Sequence, residues 1–186
     1  MRTFIAIEFD EAVRRQLGAI QTRLKPKCPK VKWVDPRQIH LTLKFLGEIA
    51  EGQVAAVGEA LNALAGGCRP FEVKVEGLGC FPPGGGVDVL WVGLKDPSGQ
   101  LAACQAKCEE LIEPLGFPRE RRAFSPHLTL ARNRDPASGA KIRAALTAEP
   151  PAVVGTQTVT GVTFYHSTLT PQGPIYKPVS KHAFGG

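Results

Sequence analysis

The tetrapeptide His-Leu-Thr-Leu occurs twice in this chain, at His40–Leu43 and at His127–Leu130, 87 positions apart. The chain has only four histidines, and two of them open identical motifs. Each copy reads as a β-strand, in which alternate side chains face the same way. His40 and Thr42 then share one face, with Leu41 and Leu43 on the other. The same split separates His127 and Thr129 from Leu128 and Leu130. A fold that holds both copies must bury two leucine faces and leave two polar pairs beside a cleft. The spacing suggests a duplicated lobe, although the rest of each half shows little self-similarity.

The remaining chain supplies the parts for such a fold. Arg2–Phe9 alternates and reads as a strand. Asp10 reads as an N-cap, followed by Val13, Leu17, Ile20 and Leu24 at helical spacing, with Pro26 and Pro29 as stops. A short strand over Val31–Val34 leads to a longer one over Ile39–Leu46. Glu51–Ala65 reads as a helix with Val54, Val57, Leu61 and Leu64 as its stripe, closed by Gly66 and Gly67. Phe71–Leu78 and Val87–Leu94 form a hairpin with a turn-rich tip, Phe81–Gly86. Those glycines do not make a phosphate-binding loop, because no Lys-Ser/Thr or helix follows. Ser98 reads as the cap of a helix reaching about Leu115, with Gly116 and Pro118 as stops. The second motif strand, His127–Arg132, precedes a short helix over Ala137–Leu146. Two strands, Val153–Tyr165 and one near Ile175–Val179, complete an α+β chain with mostly antiparallel pairing.

With 186 residues, 43% of them hydrophobic and 22% charged, the chain reads as one globular domain, residues 1–186, of two lobes that each contribute one motif. The first residues, Met1–Glu8, contain an apolar stretch too short for a signal peptide, and no run suits a membrane span. A cytoplasmic protein without membrane association is expected. Five cysteines, none in a C-x-x-C pair, read as free thiols. Cys104 and Cys108 share a helix face and offer at most half a metal site. The formal charge of +6 suits a polyanionic partner. Arg119, Arg121, Arg122, Arg132 and Arg134 surround the second motif, and Lys32, Arg37 and Lys44 the first.

Two imidazoles and two hydroxyls around one cavity suit cleavage of a phosphate ester. A neutral histidine takes a proton from water while a protonated one gives a proton to the leaving oxygen, and imidazole does both near neutral pH. Thr42 and Thr129 can donate hydrogen bonds to phosphate oxygens. Arg132 can add positive charge; a regular strand would turn it away from His127, so it reaches the site only where the strand bends or ends. Paired histidines also serve zinc, but no His-Glu-x-x-His or cysteine cluster supplies the further ligands. A half-exposed surface pair is the bland use of one such motif, and the second copy argues against it. His166 and His182 lack the motif and read as ordinary surface or loop residues. Trp33, Phe45 and Phe124 could stack on a base, with core packing the commoner role.

The chain resembles the two-histidine (2H) phosphoesterases, in the RNA 2′,3′-cyclic phosphodiesterase or 2′-5′ RNA ligase-like branch. The resemblance rests on Arg2–Ile7, on Trp33-Val34 and His40–Glu48, on Phe124–Arg132, and on Ser167–Leu169 with Gly173–Tyr176. It implies a bilobal α+β fold with two antiparallel sheets, flanking helices and pseudo-two-fold symmetry around a central cleft. It further implies metal-independent hydrolysis of an RNA 2′,3′-cyclic phosphate end to a 2′-phosphate; no cofactor or metal is expected, and a monomer is expected. Carried over by motif position, His40 is the proton donor and His127 the proton acceptor, while Thr42, Thr129 and Arg132 bind the phosphate. Joining RNA ends through a 2′-5′ bond in the same site, and RNA binding without catalysis, are the alternative readings.

Overall fold

A computed structural model describes residues 1–28, 30–171 and 173–185. In chain order the elements are β1 (Arg2–Glu8), α1 (Glu11–Leu24), β2 (Val31–Trp33), β3 (His40–Glu48), α2 (Gln53–Gly67), β4 (Phe71–Phe81), β5 (Val89–Lys95), α3 (Gln100–Ile112), β6 (His127–Asn133), α4 (Gly139–Thr147), β7 (Val153–Val159), β8 (Gly161–Thr170) and β9 (Gly173–Ala183). They build a four-stranded sheet in the order β3-β1-β8-β9 and a five-stranded sheet in the order β2-β6-β5-β4-β7. Every strand pairing is antiparallel. The two motifs therefore lie in different sheets, and β3 touches β6 where the sheets meet. The α+β fold expected from the sequence is the one observed.

Local chemistry explains most element boundaries. The Asp10 carboxylate accepts from Val13 N at 2.8 Å and starts α1, whose Val13, Leu17, Ile20 and Leu24 are buried. A 3₁₀ turn over Lys25–Lys27, holding Pro26, follows the end of α1. Pro29, expected as a second stop, lies outside the described residues. α2 takes Gly66 and Gly67 into its last turn, and Cys68 stands at its C-cap, so the glycines do not close the helix from outside. Gly99, not Ser98, occupies the N-cap of α3, at φ 74°. Its free N–H groups are met by Asp96, which accepts from Leu101 N at 2.6 Å, and by the Ser98 hydroxyl, which accepts from Gln100 N at 3.2 Å.

The region expected as one strand over Val153–Tyr165 is two. β7 pairs with β4 in the five-stranded sheet, and β8 pairs with β1 in the other. Thr160 alone separates the two strands, so the alternating pattern carries no sign of the break. Gly161 permits the crossing, because a Cβ there would sit 2.5 Å from His182 O. The last strand also exceeds the expected Ile175–Val179, running from Gly173 to Ala183.

One hydrophobic core joins the sheets and helices, and Leu41, Leu43, Leu128 and Leu130 all belong to it. Burying each such leucine stabilises the fold by about 1.5–3 kcal/mol. α2 and α3 lie against the four-stranded sheet, while α1 and α4 lie against the five-stranded one. No helix among the described residues is long and apolar enough to cross a membrane.

Candidate active site

His40 and His127 are each the first residue of their strand, and each ring is held in the same way. His40 Nδ1 lies 2.7 Å from the carbonyl of Gln38, and His127 Nδ1 lies 2.7 Å from the carbonyl of Ser125. A carbonyl only accepts, so both Nδ1 atoms carry hydrogen and donate. Each Nε2 is then the atom left to take or give a proton. The leucine faces are buried as expected, and Thr42 and Thr129 are half-buried on the histidine faces.

A β-bulge follows in both strands. Between β1 and β3, Ala6 faces Thr42 and Ile5 faces Lys44, so Leu43 is an extra residue. Between β5 and β6, Trp91 faces Thr129 and Leu90 faces Ala131, so Leu130 is the extra residue. An extra residue restarts the alternation. Leu43 and Lys44 are consequently both buried, as are Leu130 and Ala131. Phe45 and Arg132 then return to the histidine face, five positions past His40 and His127. The bulge is the departure from a regular strand that Arg132 needs to reach this face, and its charge acts on both His40 and Tyr176.

The surroundings of the two histidines differ. His40 stacks on Phe4 at 4.8 Å between ring centres and meets Tyr176 edge-on at 5.2 Å. Tyr165 stacks on the same Phe4 at 5.2 Å and donates a short hydrogen bond from its hydroxyl to Glu8, the register partner of His40. Lys181 Nζ pairs with Glu8 at 2.9 Å. His127 instead meets Phe81 edge-on at 4.9 Å, with Trp91 behind at 6.4 Å. Trp91 packs against Gly79, where a Cβ would be 2.2 Å from the indole ring. Burial holds the His40 imidazolium below its ordinary range; the Gln38 carbonyl opposes this, and the charges of Arg14 and Arg132 add to it.

Several expectations about charge and exposure are corrected. Lys44, one of the charges around the first motif, is buried. The bulge turns it inward, where it forms a buried ion pair with Glu109 of α3 and donates to Pro118 O at 2.8 Å. Lys32 and Arg37 remain exposed, and Arg37 pairs with Asp35 at 2.6 Å. Arg121, Arg122 and Arg134 are exposed near the second motif, and Arg119 pairs with Glu113 at 2.7 Å. His182 is not a surface residue. It is 7% exposed, its Nδ1 lies 2.6 Å from Asn62 Oδ1, and its Nε2 lies 2.8 Å from Ser180 Oγ. Phe45 is 65% exposed and takes no part in the core, whereas Trp33 and Phe124 pack against it.

The Phe81–Gly86 tip does not present N–H groups to an anion. Its carbonyls at Pro82, Pro83, Gly85 and Gly86 converge on the Arg143 guanidinium at 2.7–3.3 Å. The five cysteines are free thiols. Burial pushes the Cys108 thiol up to about 12 and raises Cys104 further, so both stay protonated. Among the described residues no three His, Cys, Asp or Glu side chains are grouped to hold a metal ion.

Sequence reasoning missed Phe4, Glu8, Phe81, Trp91, Tyr165 and Tyr176. Their signal lies in pairing: once β1 is placed beside β3, the register sets Glu8 opposite His40 and brings Phe4 onto the same face.

The arrangement has counterparts in known proteins. Residues 9–169 match the model of the 2′-5′ RNA ligase superfamily. A protein of Methanothermobacter thermautotrophicus named RNA 2′,3′-cyclic phosphodiesterase is 33% identical over 95% of this chain and 95% of its own. One of Archaeoglobus fulgidus with the same name is 35% identical over 95% of this chain and 97% of its own. A crystal structure of a Thermus thermophilus protein superposes with a TM-score of 0.82 at 33% identity, covering 99% of this chain and 98% of that one. Matched along nearly its whole length in both sequence and fold, the chain belongs to the 2′-5′ RNA ligase superfamily.

Proposed function

We propose that the protein hydrolyses the 2′,3′-cyclic phosphate end of an RNA to a 2′-phosphomonoester by metal-independent acid–base catalysis. The observation that carries this reading is the matched hydrogen bonding of two histidines on different sheets, each with Nδ1 committed to a carbonyl at 2.7 Å and Nε2 left for proton transfer. The names of the Methanothermobacter and Archaeoglobus relatives supply the substrate class.

In the proposed reaction His127 Nε2 takes a proton from water as the water oxygen bonds to phosphorus. The bond from phosphorus to the ribose 3′ oxygen breaks, and that oxygen takes a proton from His40 Nε2. One water is consumed, and the phosphate remains on the 2′ oxygen. Thr42, Thr129 and Arg132 hold the non-bridging oxygens, whose charge grows in the transition state. In the free protein, burial beside two arginines favours neutral His40, which alone would suit a base. A bound phosphodiester brings negative charge to the same place and favours the imidazolium that a proton donor needs. The division of roles therefore rests on motif position and calls for its own test.

The deciding experiment is turnover of an oligonucleotide ending in a 2′,3′-cyclic phosphate in the presence of EDTA, with the product identified. A 2′-phosphate formed at the same rate with and without chelator is expected. Activity lost with the chelator, or a 3′-phosphate product, would overturn the reading. The family's description also names ligation, which the same site allows by microscopic reversibility. Incubation of cleaved tRNA halves, with a search for a 2′-5′ junction, separates the two directions.

A further inference from the structure

Gln21, on α1 and outside both motifs, is 1% exposed. Its Nε2 donates to Leu130 O at 2.9 Å and to Val34 O at 2.7 Å. The Leu130 carbonyl also accepts from Val34 N at 2.9 Å. Both acceptors occupy decisive places. Leu130 is the extra residue of the β6 bulge, the irregularity that turns Arg132 back to the histidine face. Val34 follows β2 and leads through the turn over Pro36–Gln38 into β3. The carbonyl of Gln38, at the end of that turn, is the one that orients His40. α1 also rests on this turn, because a Cβ at Gly18 would sit 3.3 Å from Pro36 Cγ.

The other bulge is tied in a matching way. Lys44, next to the extra residue Leu43, reaches Glu109 on α3 and the Pro118 carbonyl in the segment that feeds β6. Each bulge is thus linked to a helix and to the segment feeding the opposite motif, once by a neutral amide and once by an ion pair.

We propose that Gln21 is a positioning residue: its amide clamps the β6 bulge to the segment feeding β3 and so keeps Arg132 and His40 aimed at one reacting phosphate. The catalytic consequence rests on the function proposed above, whereas the clamp itself does not. Gln21→Met keeps the length of the side chain and removes the donors. Gln21→Asn keeps the amide but shortens its reach, and serves if the methionine variant fails to fold.

The first readout needs no substrate. The charged groups facing His40 are Arg132 from β6, Arg14 from α1 and Glu8 from β1. Positive charge from Arg132 opposes protonation of His40. Releasing the bulge should therefore move the His40 titration, followed by NMR, to higher pH. Arg132→Ala should produce the same displacement, and Gln21→Met should add nothing on top of it. The second readout is turnover of the cyclic-phosphate oligonucleotide, expected to fall by up to about 100-fold in kcat with little change in KM. An unchanged His40 titration in the folded variants, or losses that add to those of Arg132→Ala, would overturn the inference. A parent protein without turnover would defeat the proposed function and leave the titration to decide the clamp.

Discussion

β3 and β6 share four residues, one hydrogen-bonding scheme and one bulge, yet they differ at the two positions that follow. After the bulge, β3 buries Lys44 and presents Phe45, while β6 buries Ala131 and presents Arg132. The backbone at both places does the same work: it commits Nδ1, anchors two leucines and re-aims one side chain. The side chains then divide the labour. The β6 side presents a guanidinium on the histidine face, and the β3 side presents an aromatic ring. The inward positions diverge as well, since Lys44 needs Glu109 and Pro118 to satisfy its ammonium, while Ala131 needs only space. In the proposed reaction the two matched backbones would set proton donor and proton acceptor in equivalent places with different surroundings.

The histidines give the largest effect with which to break this comparison. His40→Ala and His127→Ala should each lower kcat on a cyclic-phosphate end by roughly 10²–10⁴-fold. A diester with 4-nitrophenolate as leaving group needs no proton donor. It should restore turnover to His40→Ala and not to His127→Ala, and the opposite pattern would exchange their roles.

The inward pair comes next. Lys44→Met alone leaves Glu109 buried without its partner and should cost about 3–5 kcal/mol in urea unfolding. Adding Glu109→Leu should recover most of that loss. A single variant as stable as the parent would show that the ion pair does not hold the β3 bulge.

The outward pair separates charge from contact. Arg132→Ala should lower kcat by on the order of 10²-fold, the scale of a lost transition-state donor. Phe45→Ala should act on KM, by less than about tenfold, because a single ring contributes about 1–3 kcal/mol when a base stacks on it. Equal kcat losses for the two would erase the proposed difference between the strands.

The smallest effect is on the pH dependence of stability. Burial lowers the His40 and His182 pKa values in the folded state. The unfolded chain then binds protons more readily, so the stability these residues contribute is complete above about pH 6.5 and is lost as pH falls through the folded values. Tm should decline on acidification from about pH 6.5, and His40→Asn should flatten the slope. A Tm indifferent to pH in that range would refute the claim that burial keeps His40 neutral.

Much of this was legible in the residues. The identical motifs identified the strands, their buried leucines and the histidine–threonine faces. The capping aspartate and the apolar spacing located α1. The failures share one cause. Alternation tells which residues face together but not which strand lies alongside, so the run over Val153–Tyr165 concealed a change of sheet at Thr160. Alternation also assumes an unbroken ladder, so neither the return of Arg132 to the histidine face nor the inward turn of Lys44 is legible without the partner strand. His182 resembled a terminal surface residue until α2 supplied Asn62 beside it.

What the sequence determined by itself was the chemical inventory and its local presentation, because strand periodicity and capping depend on neighbours in the chain. The tertiary structure alone decided which groups meet. It set β3 against β6 from two different sheets and placed an extra residue in each ladder. It brought Phe4, Tyr165 and Tyr176 around one histidine and Phe81 and Trp91 behind the other, and it threaded Gln21 between the two motif segments. A bulge exists only relative to its partner strand, and burial only relative to what packs above it. Neither is a property of a tetrapeptide, however often that tetrapeptide is repeated.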